Sequence, residues 1–417
     1  MFSKFILPST LFLILGFVTF HHASAETSSW QTVTAPLNMT VEVNGQARKI
    51  FPGCAFNEDY KFFFKQGNSR KLLVFMNGGG ACWNATTCLT SLSSPTPAFV
   101  PSIDNTPHNQ VTARNGVFDL DNPENPYADW SIAFLPYCTG DIHAGSNDAL
   151  YDNPANPGTF VPVRHRGFDN VLFAREWLKN HSITTNSVRK LFVSGASAGA
   201  YGVILTYPYW KETFPRARGM LLADAGSGVI TDEFIDEAMR GDTSSWKIDQ
   251  NIADWIPGLA EVFSQSSADS FVLNYYLALS NAYPRDNFAQ YTTAWDAIQV
   301  MFKQIMENDD NIAEWPNFGP EDFAEWTTAT RINAFSAASA PNYRFYIAPG
   351  CTHTALRYDD RFYSNEEVGG LTFMEWLKGM TQRRKRNDWQ NVICDGDCDM
   401  PVDPVEVQNC IDIPVIP

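Results

Sequence analysis

Little in this sequence suggests a membrane protein or a string of small domains. After the apolar run at residues 5–20, no segment is long and apolar enough to cross a bilayer. No glycine/serine-rich or proline-rich linker, internal repeat or low-complexity tract interrupts the 417 residues. We therefore expect one large domain with long insertions rather than several small ones.

Basic residues are also scarce. The chain has 30 lysines and arginines against 46 aspartates and glutamates, which gives a formal net charge of −16. Such a surface repels polyanions over a Debye length of about 10 Å, so we expect no nucleic-acid partner and no membrane insertion. The one basic run, residues 383–386, is interpreted as a solvated helix end.

The N-terminus has the pattern of an export signal. Lys4 precedes the apolar run, and Ala23-Ser24-Ala25 supplies small residues at the spacing of a cleavage site. Residues 1–25 are therefore predicted to be a signal peptide, and the protein to be secreted or periplasmic.

All 8 cysteines follow this segment. An even number in an exported protein predicts disulfide bonds rather than a metal cluster, although the sequence alone cannot choose among the pairings. Cys82 and Cys88 are close enough to close a local loop. Residues 395–399 alternate acids as a calcium loop does, but the glycine and distal glutamate of such a loop are missing. No metal and no cofactor is predicted.

Short apolar runs alternate with segments of helical periodicity. The runs cover residues 71–76, 131–137, 190–194, 219–223 and 343–348, and residues 166–181 place apolar side chains on one helical face. This alternation predicts an α/β fold with a mostly parallel sheet and helices on both faces. In such a sheet the active site lies beyond the carboxyl ends of the strands.

Ser197 lies in Gly195-Ala196-Ser197-Ala198-Gly199, directly after one of these runs. A strand, the G-x-S-x-G pattern and then helix-compatible sequence are typical of a serine nucleophile on a sharp turn. A glycine-lined packing corner is the alternative interpretation. A second strand is followed by Asn77-Gly78-Gly79-Gly80, whose N–H groups, with that of Ala198, fit an oxyanion hole.

His353 is the only histidine that follows Ser197 in the chain, and it comes soon after the run at residues 343–348. The chain order of α/β-hydrolase triads places the histidine after the serine, which favours His353 as the base. The acid that orients it stays open, because Asp224 and Asp296 are equally placed by spacing alone.

Six segments, taken together and in order, resemble the pectin acetylesterase family. They are LVFMNGGGACWNATTC, LPYCTGDIHAGS, VSGASAGAYG, LLADAGSG, AQYTTAWDAIQ and PGCTHTAL, within a region from about Cys54 to Trp376. The resemblance implies an α/β-hydrolase-like fold and a serine carboxylesterase. It assigns Ser197 as nucleophile, His353 as base and Asp296 as acid.

The resemblance further implies that Gly79 or Gly80 and Ala198 donate to the oxyanion. It also makes Asp141, His143 and Asp224 candidates for the lining of the pocket, a structural turn being the alternative for the first two. The implied organisation is a signal peptide at residues 1–25, an α/β-hydrolase-like catalytic domain at 26–393 and a disulfide-tethered tail at 394–417.

The resemblance implies a disulfide pairing as well. Cys54 would bond Cys138, and Cys82 would bond Cys88. Cys351 would bond Cys394 or Cys398, and the other of these two would bond Cys410.

The expected function is removal of short acyl groups, acetyl above all, from a polysaccharide such as pectin. The aromatic content of 14% suits sugar stacking and favours a shallow acyl pocket. A lipid or protein-acyl deacylase is the alternative, because polyanionic pectin is an unusual partner for so acidic a chain. An inactive glycan-binding protein is a weaker rival, since the serine, histidine and glycine set is intact.

Overall fold

A computed structural model describes residues 29–111, 115–181, 187–381 and 389–394, together with Cys398 and Cys410. The predicted signal peptide, the basic run at residues 383–386 and most of the acidic tail segment lie outside these residues. In the described part of the chain, no helix has the length and apolarity needed to span a membrane.

The described residues form a large sheet, two small hairpins and surrounding helices. The strands are β1 (Gln31–Thr34), β2 (Met39–Val43), β3 (Gln46–Ile50), β4 (Lys61–Lys65), β5 (Asn68–Met76), β6 (Trp130–Leu135), β7 (Asn147–Asp152), β8 (Phe160–His165), β9 (Lys190–Ala196), β10 (Arg218–Asp224), β11 (Asn287–Thr293), β12 (Tyr343–Ala348) and β13 (Val392–Ile393). The helices are α1 (Ala85–Cys88), α2 (Gly167–Asn180), α3 (Ala198–Thr213), α4 (Asp232–Phe234), α5 (Leu259–Gln265), α6 (Phe271–Ala282), α7 (Ala297–Glu307), α8 (Pro320–Ala337), α9 (Asp359–Phe362) and α10 (Phe373–Thr381).

The central sheet has the order β1-β4-β6-β5-β9-β10-β11-β12-β13. Strands from β6 to β13 in this order are parallel. β4 runs antiparallel to both of its neighbours, β1 and β6. The predicted α/β-hydrolase-like fold, with a mostly parallel sheet and helices around it, is therefore confirmed. All five predicted strands lie within or overlap β5, β6, β9, β10 and β12.

Strand register brings the functional loops together. Met76 pairs with Gly195, Ala196 with Asp224, and Thr293 with Ala348, so β5, β9, β10, β11 and β12 end at the same edge of the sheet. The central strands are buried along almost their whole length. Because every ladder bond is satisfied within this core, the loops that follow the strands are held in fixed positions.

Four disulfides link the described cysteines. Cys54–Cys138 and Cys82–Cys88 form as the resemblance implied. The implied tail pairing is wrong, because Cys351 bonds Cys410, and Cys394 bonds Cys398. Cys394 is held at the sheet edge by its N–H bond to the carbonyl of Ile347, and its Cα lies 5.5 Å from that of Cys398.

Candidate active site

Ser197 occupies a sharp turn between β9 and α3. Its backbone lies at φ 56° and ψ −123°, a conformation that costs a non-glycine residue free energy and exposes its side chain. A Cβ on Gly195 would lie 2.3 Å from the carbonyl oxygen of Gly199, and one on Gly199 would lie 2.1 Å from that of Met76. Both glycines of the G-x-S-x-G pattern are therefore required by backbone contact at this turn.

His353 and Asp296 meet at the carboxyl ends of β11 and β12. Nδ1 of His353 lies 2.9 Å from Oδ1 and 2.8 Å from Oδ2 of Asp296. Asp296 is fully buried at the N-cap of α7, where Oδ1 accepts the N–H of Gln299 and Oδ2 accepts its side-chain amide at 2.9 Å. These contacts fix the carboxylate, which in turn fixes the imidazole ring.

The other nitrogen of this imidazole is available for chemistry. Nε2 of His353 is buried and makes no hydrogen bond to the described residues. His353 and Ser197 line the same pocket. Nε2 and the Ser197 hydroxyl are not in hydrogen-bond contact here, and such contacts are often long before substrate binds.

Asp224 has a different position from Asp296, which separates the two candidate acids. Its carboxylate accepts the backbone N–H groups of Ala355 and Leu356 at 2.8–3.0 Å, and its carbonyl accepts the N–H of Ser197 at 2.8 Å. Burial raises the pKa of Asp224 to about 6, and the two backbone donors oppose that rise. Asp224 therefore ties the serine turn to the histidine loop without contacting the imidazole.

The loop after β5 comes close to Ser197. A Cβ on Gly78 would lie 2.7 Å from the Cβ of Ser197, and Gly79 and Gly80 have φ of 147° and 75°. The carbonyl of Gly79 accepts the N–H of Val100, which pins the loop from the far side. Ala198 begins α3, so its N–H is one of the four that lack an acceptor inside a helix.

Asp141 and His143 do not line the pocket, which corrects the expectation for both. Asp141 is fully buried and accepts the Thr139 hydroxyl at 2.6 Å and the N–H of Gly167 at 2.7 Å. Nε2 of His143 bonds the carbonyl of Asn77 at 2.8 Å, and burial lowers its pKa to about 4. Through these hydrogen bonds, both side chains hold the loops in position. Asp224 is likewise fully buried and lies outside the pocket wall.

An apolar pocket opens beside Ser197. It has an empty volume of about 820 Å³, counted with its mouth. Its apolar wall comes from α3, the segment after β10, α6 and α7: Tyr201, Ile204, Leu205, Val229, Ile230, Phe234, Met239, Phe271, Val272, Tyr275, Phe302 and Met306. The sequence predicted a shallow pocket, and the depth of this pocket stays a prediction.

Many of the aromatic side chains belong to the hydrophobic core. Trp210, Trp246, Trp315, Trp326 and Trp376 are fully buried core residues rather than parts of an open sugar-binding face. No local pattern marks the pocket wall, because its residues come from several segments that are far apart in the chain.

A second space, which we call the arginine cleft, also borders Ser197 and His353. It has an empty volume of about 680 Å³ and is lined by Gly78, Gly79, Gly80, His108, Ala196, Ile298, Phe302, Thr354, Arg357, Tyr358 and Arg361 besides the serine and histidine. The sequence analysis did not find Arg357 or Arg361.

The described residues offer one close group of metal-ligating types, Cys82, Cys88 and His165. Both sulfurs are in a disulfide bond. Nδ1 of His165 bonds the Thr139 carbonyl and Nε2 bonds the Tyr151 hydroxyl, each at 2.8 Å. Because all three groups are already engaged, they do not suit a metal ion.

Comparison with known proteins bears on the family and the fold. A family model described as pectinacetylesterase matches residues 59–245. The resemblance to the pectin acetylesterase family is confirmed. This match covers the glycine loop and the serine turn, whereas Asp296 and His353 lie beyond it.

Two relatives extend the comparison. The palmitoleoyl-protein carboxylesterase NOTUM of Mus musculus is 26% identical over 175 residues, which are 40% of this chain. The matched part spans 31% of the length of that relative. The structure of the Wnt deacylase Notum from Drosophila covers 78% of this chain and 89% of its own, at 15% identity and a TM-score of 0.51. The structural likeness supports the fold.

Proposed function

We propose that this protein is a serine carboxylesterase that acts through Ser197, His353 and Asp296. The Ser197 oxygen attacks the ester carbonyl while Nε2 of His353 takes the hydroxyl proton. The proton then passes to the leaving alcohol as the acyl–oxygen bond breaks, and water hydrolyses the acyl-enzyme by the same route. Asp296 holds the tautomer with Nδ1–H toward itself, which leaves Nε2 free to accept the proton.

The tetrahedral intermediate carries its negative charge on the former carbonyl oxygen. We assign its stabilisation to the N–H groups of Gly79 or Gly80 and of Ala198, which come from the two elements next to Ser197, as an oxyanion hole requires. The esterase proposal is supported by the pectinacetylesterase match and by the carboxylesterase activity in the name of the Mus musculus relative. No chemical step in it requires a cofactor.

The observation that favours one acyl group over another is the apolar pocket at Ser197. An acetyl group would leave most of this wall exposed to water, whereas a longer acyl chain would cover it. Each methylene transferred from water to such a wall contributes about 0.8 kcal/mol, close to a fourfold change in binding. We therefore favour an ester with a medium or long acyl chain over the acetyl group expected from the sequence.

An acetylated glycan is the second candidate substrate, and the arginine cleft is the observation that favours it. This cleft is more polar than the pocket, so a sugar alcohol could occupy it while a short acyl group sat at the pocket mouth. The name of the matching family also supports this substrate.

Chain length separates the two candidates. We expect kcat/KM for 4-nitrophenyl esters to rise from two to eight carbons, with the Ser197→Ala protein as the blank. An optimum at two or three carbons would reject the long-chain proposal. Acetate release from a panel of acetylated glycans would then identify the substrate of the short-chain enzyme.

Export is part of the proposal. Four disulfides join the described cysteines, and such bonds persist in oxidising compartments. Expression with residues 1–25 and detection of the protein in the medium or periplasm, with an N-terminus near Glu26, would test it. Retention of the uncleaved chain inside the cell would contradict it.

A further inference from the structure

Arg357 differs from the other buried basic residues. Among the described residues, four lysines and arginines are buried: Arg175, Lys211, Lys303 and Arg357, which are 2%, 8%, 7% and 8% exposed. The first three each lie within 3.2 Å of a carboxylate oxygen, from Glu212, Asp286 and Glu307 respectively. Arg357 has no ion-pair partner in the described part of the chain.

The contacts of Arg357 are all neutral. Nη1 donates to Oδ1 of Asn77 and to the carbonyl of His108, both at 2.6 Å. The guanidinium also lies over the rings of Phe118 and Phe134, at 5.8 and 5.1 Å from their centroids. His108 adds no charge, because burial and the neighbouring Arg357 and His353 lower its pKa well below the ordinary value.

An unpaired buried charge opposes folding, so its position calls for an explanation. Asn77, the main side-chain acceptor of Arg357, is the first residue of the glycine loop that carries the proposed oxyanion donors. Its carbonyl is held from the other side by His143. Arg357 lines the same cleft as Ser197 and Gly80. Its positive charge thus lies in a buried region of the cleft in which Ser197 would carry out the reaction.

We propose that Arg357 supports the oxyanion hole, both by positioning the glycine loop through Asn77 and by stabilising the oxyanion with an uncompensated charge. This inference rests on the proposed esterase function. A preorganised charge in a buried site stabilises a transition state without reorganisation during the reaction. A carboxylate partner for Arg357 would cancel this effect, which accounts for its absence.

Three variants test the proposal with one ester: Arg357→Met, Arg357→Lys and the control Arg175→Met, which removes a buried arginine paired with Glu212. Loss of one direct oxyanion donor costs about 100- to 1,000-fold in kcat. For an indirect support we expect Arg357→Met to lower kcat about 10- to 100-fold with KM changed less than threefold. Arg357→Lys should recover much of that loss, and the control should keep its kcat per folded molecule.

Binding of an alkyl boronic acid separates an electrostatic role from a structural one, because its adduct on Ser197 is an anionic tetrahedron. Its affinity should fall in Arg357→Met by the same factor as kcat, while that of an uncharged alcohol of equal chain length stays unchanged. Equal losses for both ligands, or no recovery in Arg357→Lys, would overturn the proposal. A loss confined to esters with anionic leaving groups would also overturn it, since Arg357 would then bind substrate.

The esterase proposal itself is checked separately. If Ser197→Ala hydrolyses the ester as fast as the unaltered protein, the proposed function fails whatever Arg357 does. If Ser197→Ala is inactive and Arg357→Met is fully active, only the inference about Arg357 fails.

Discussion

The two spaces beside Ser197 share the serine, His353, Gly80 and Phe302 but differ in chemistry. The pocket has an almost wholly apolar wall built on α3, α6 and α7. The arginine cleft contains Arg357 and Arg361, with the guanidinium of Arg361 bonded to the carbonyls of His353 and Thr354. An ester bond held at Ser197 can therefore place an apolar acyl group on one side and a polar alcohol on the other.

The comparison also locates the charge of the intermediate. In the proposed mechanism the oxyanion forms on the border between the two spaces, where the glycine loop meets the serine turn. Both basic residues near this border lie on the cleft side, and the pocket offers no charge. Binding energy from the acyl chain and stabilisation of the transition state thus come from different parts of the site, which allows each to be altered separately.

The largest expected effect on kcat comes from substituting Ser197 or His353, which line both spaces. Ser197→Ala and His353→Ala should each lower kcat by roughly 10⁴-fold or more, for short and long esters alike, because both remove the step common to all substrates. The double variant should be little slower than either single one, since the two groups act as a unit. Burst kinetics and circular dichroism on the purified proteins would measure activity and folding. A near-normal rate for folded Ser197→Ala would disprove the assignment of the nucleophile.

The next effect separates the two buried aspartates. Asp296→Asn should lower kcat by roughly 10⁴-fold, because the amide no longer holds the imidazole in the required tautomer. Asp224→Asn should have a clearly smaller effect on kcat, since Asp224 binds backbone N–H groups of the histidine loop rather than the imidazole. Steady-state kinetics on both folded variants would check the ranking. If Asp224→Asn proved the slower enzyme, the acid would have to be reassigned.

Sequence patterns predicted the parts of this molecule that depend on neighbouring residues. Continuous apolar runs gave five strands, and the G-x-S-x-G pattern gave the turn at Ser197. β11 was missed because its polar residues do not look like a core strand. In the structure Gln290 accepts the Tyr343 hydroxyl and Thr292 accepts the amide of Gln299, so these polar groups are buried with partners.

Features that depend on distant residues could not be predicted in this way. The choice between Asp224 and Asp296 required knowing which carboxylate reaches His353, and without the family resemblance the sequence left it open. Pocket depth could not be predicted either, because aromatic content does not say whether the rings fill the core or a cleft. Arg357 had no signal, since its lack of a carboxylate partner is a property of the packed structure.

A bulkier pocket wall should lower kcat/KM for long-chain esters but not for short ones. Val229→Trp places a larger side chain on a partly exposed part of the wall. If it displaces three methylenes of an eight-carbon chain, kcat/KM for that ester should fall about 50-fold, at about 0.8 kcal/mol per methylene. The two-carbon ester should change less than twofold. Leu150→Trp, at a residue 67% exposed on the β7–β8 hairpin, is the matched control. Equal losses for both esters would mean that the pocket does not hold the acyl chain.

The last effect concerns stability rather than catalysis, and it tests whether Asp141 supports the loops or lines the pocket. Burial raises the pKa of Asp141 from 3.8 to about 7, and hydrogen bonds from Thr139, Gly167 and nearby backbone oppose that rise. Because the folded-state pKa is the higher one, this contribution to stability is full below about pH 4 and is lost as the pH rises through 7.

Asp141→Asn removes the titration, so the decrease in unfolding free energy from pH 5 to pH 8 should be smaller than in the unaltered protein by roughly 2–3 kcal/mol. Urea unfolding at the two pH values would measure this difference. Asp224 titrates in both proteins, so its contribution cancels from the difference between their unfolding free energies. The ratio of eight-carbon to two-carbon kcat/KM should stay the same, and a shift in that ratio would return Asp141 to the pocket lining.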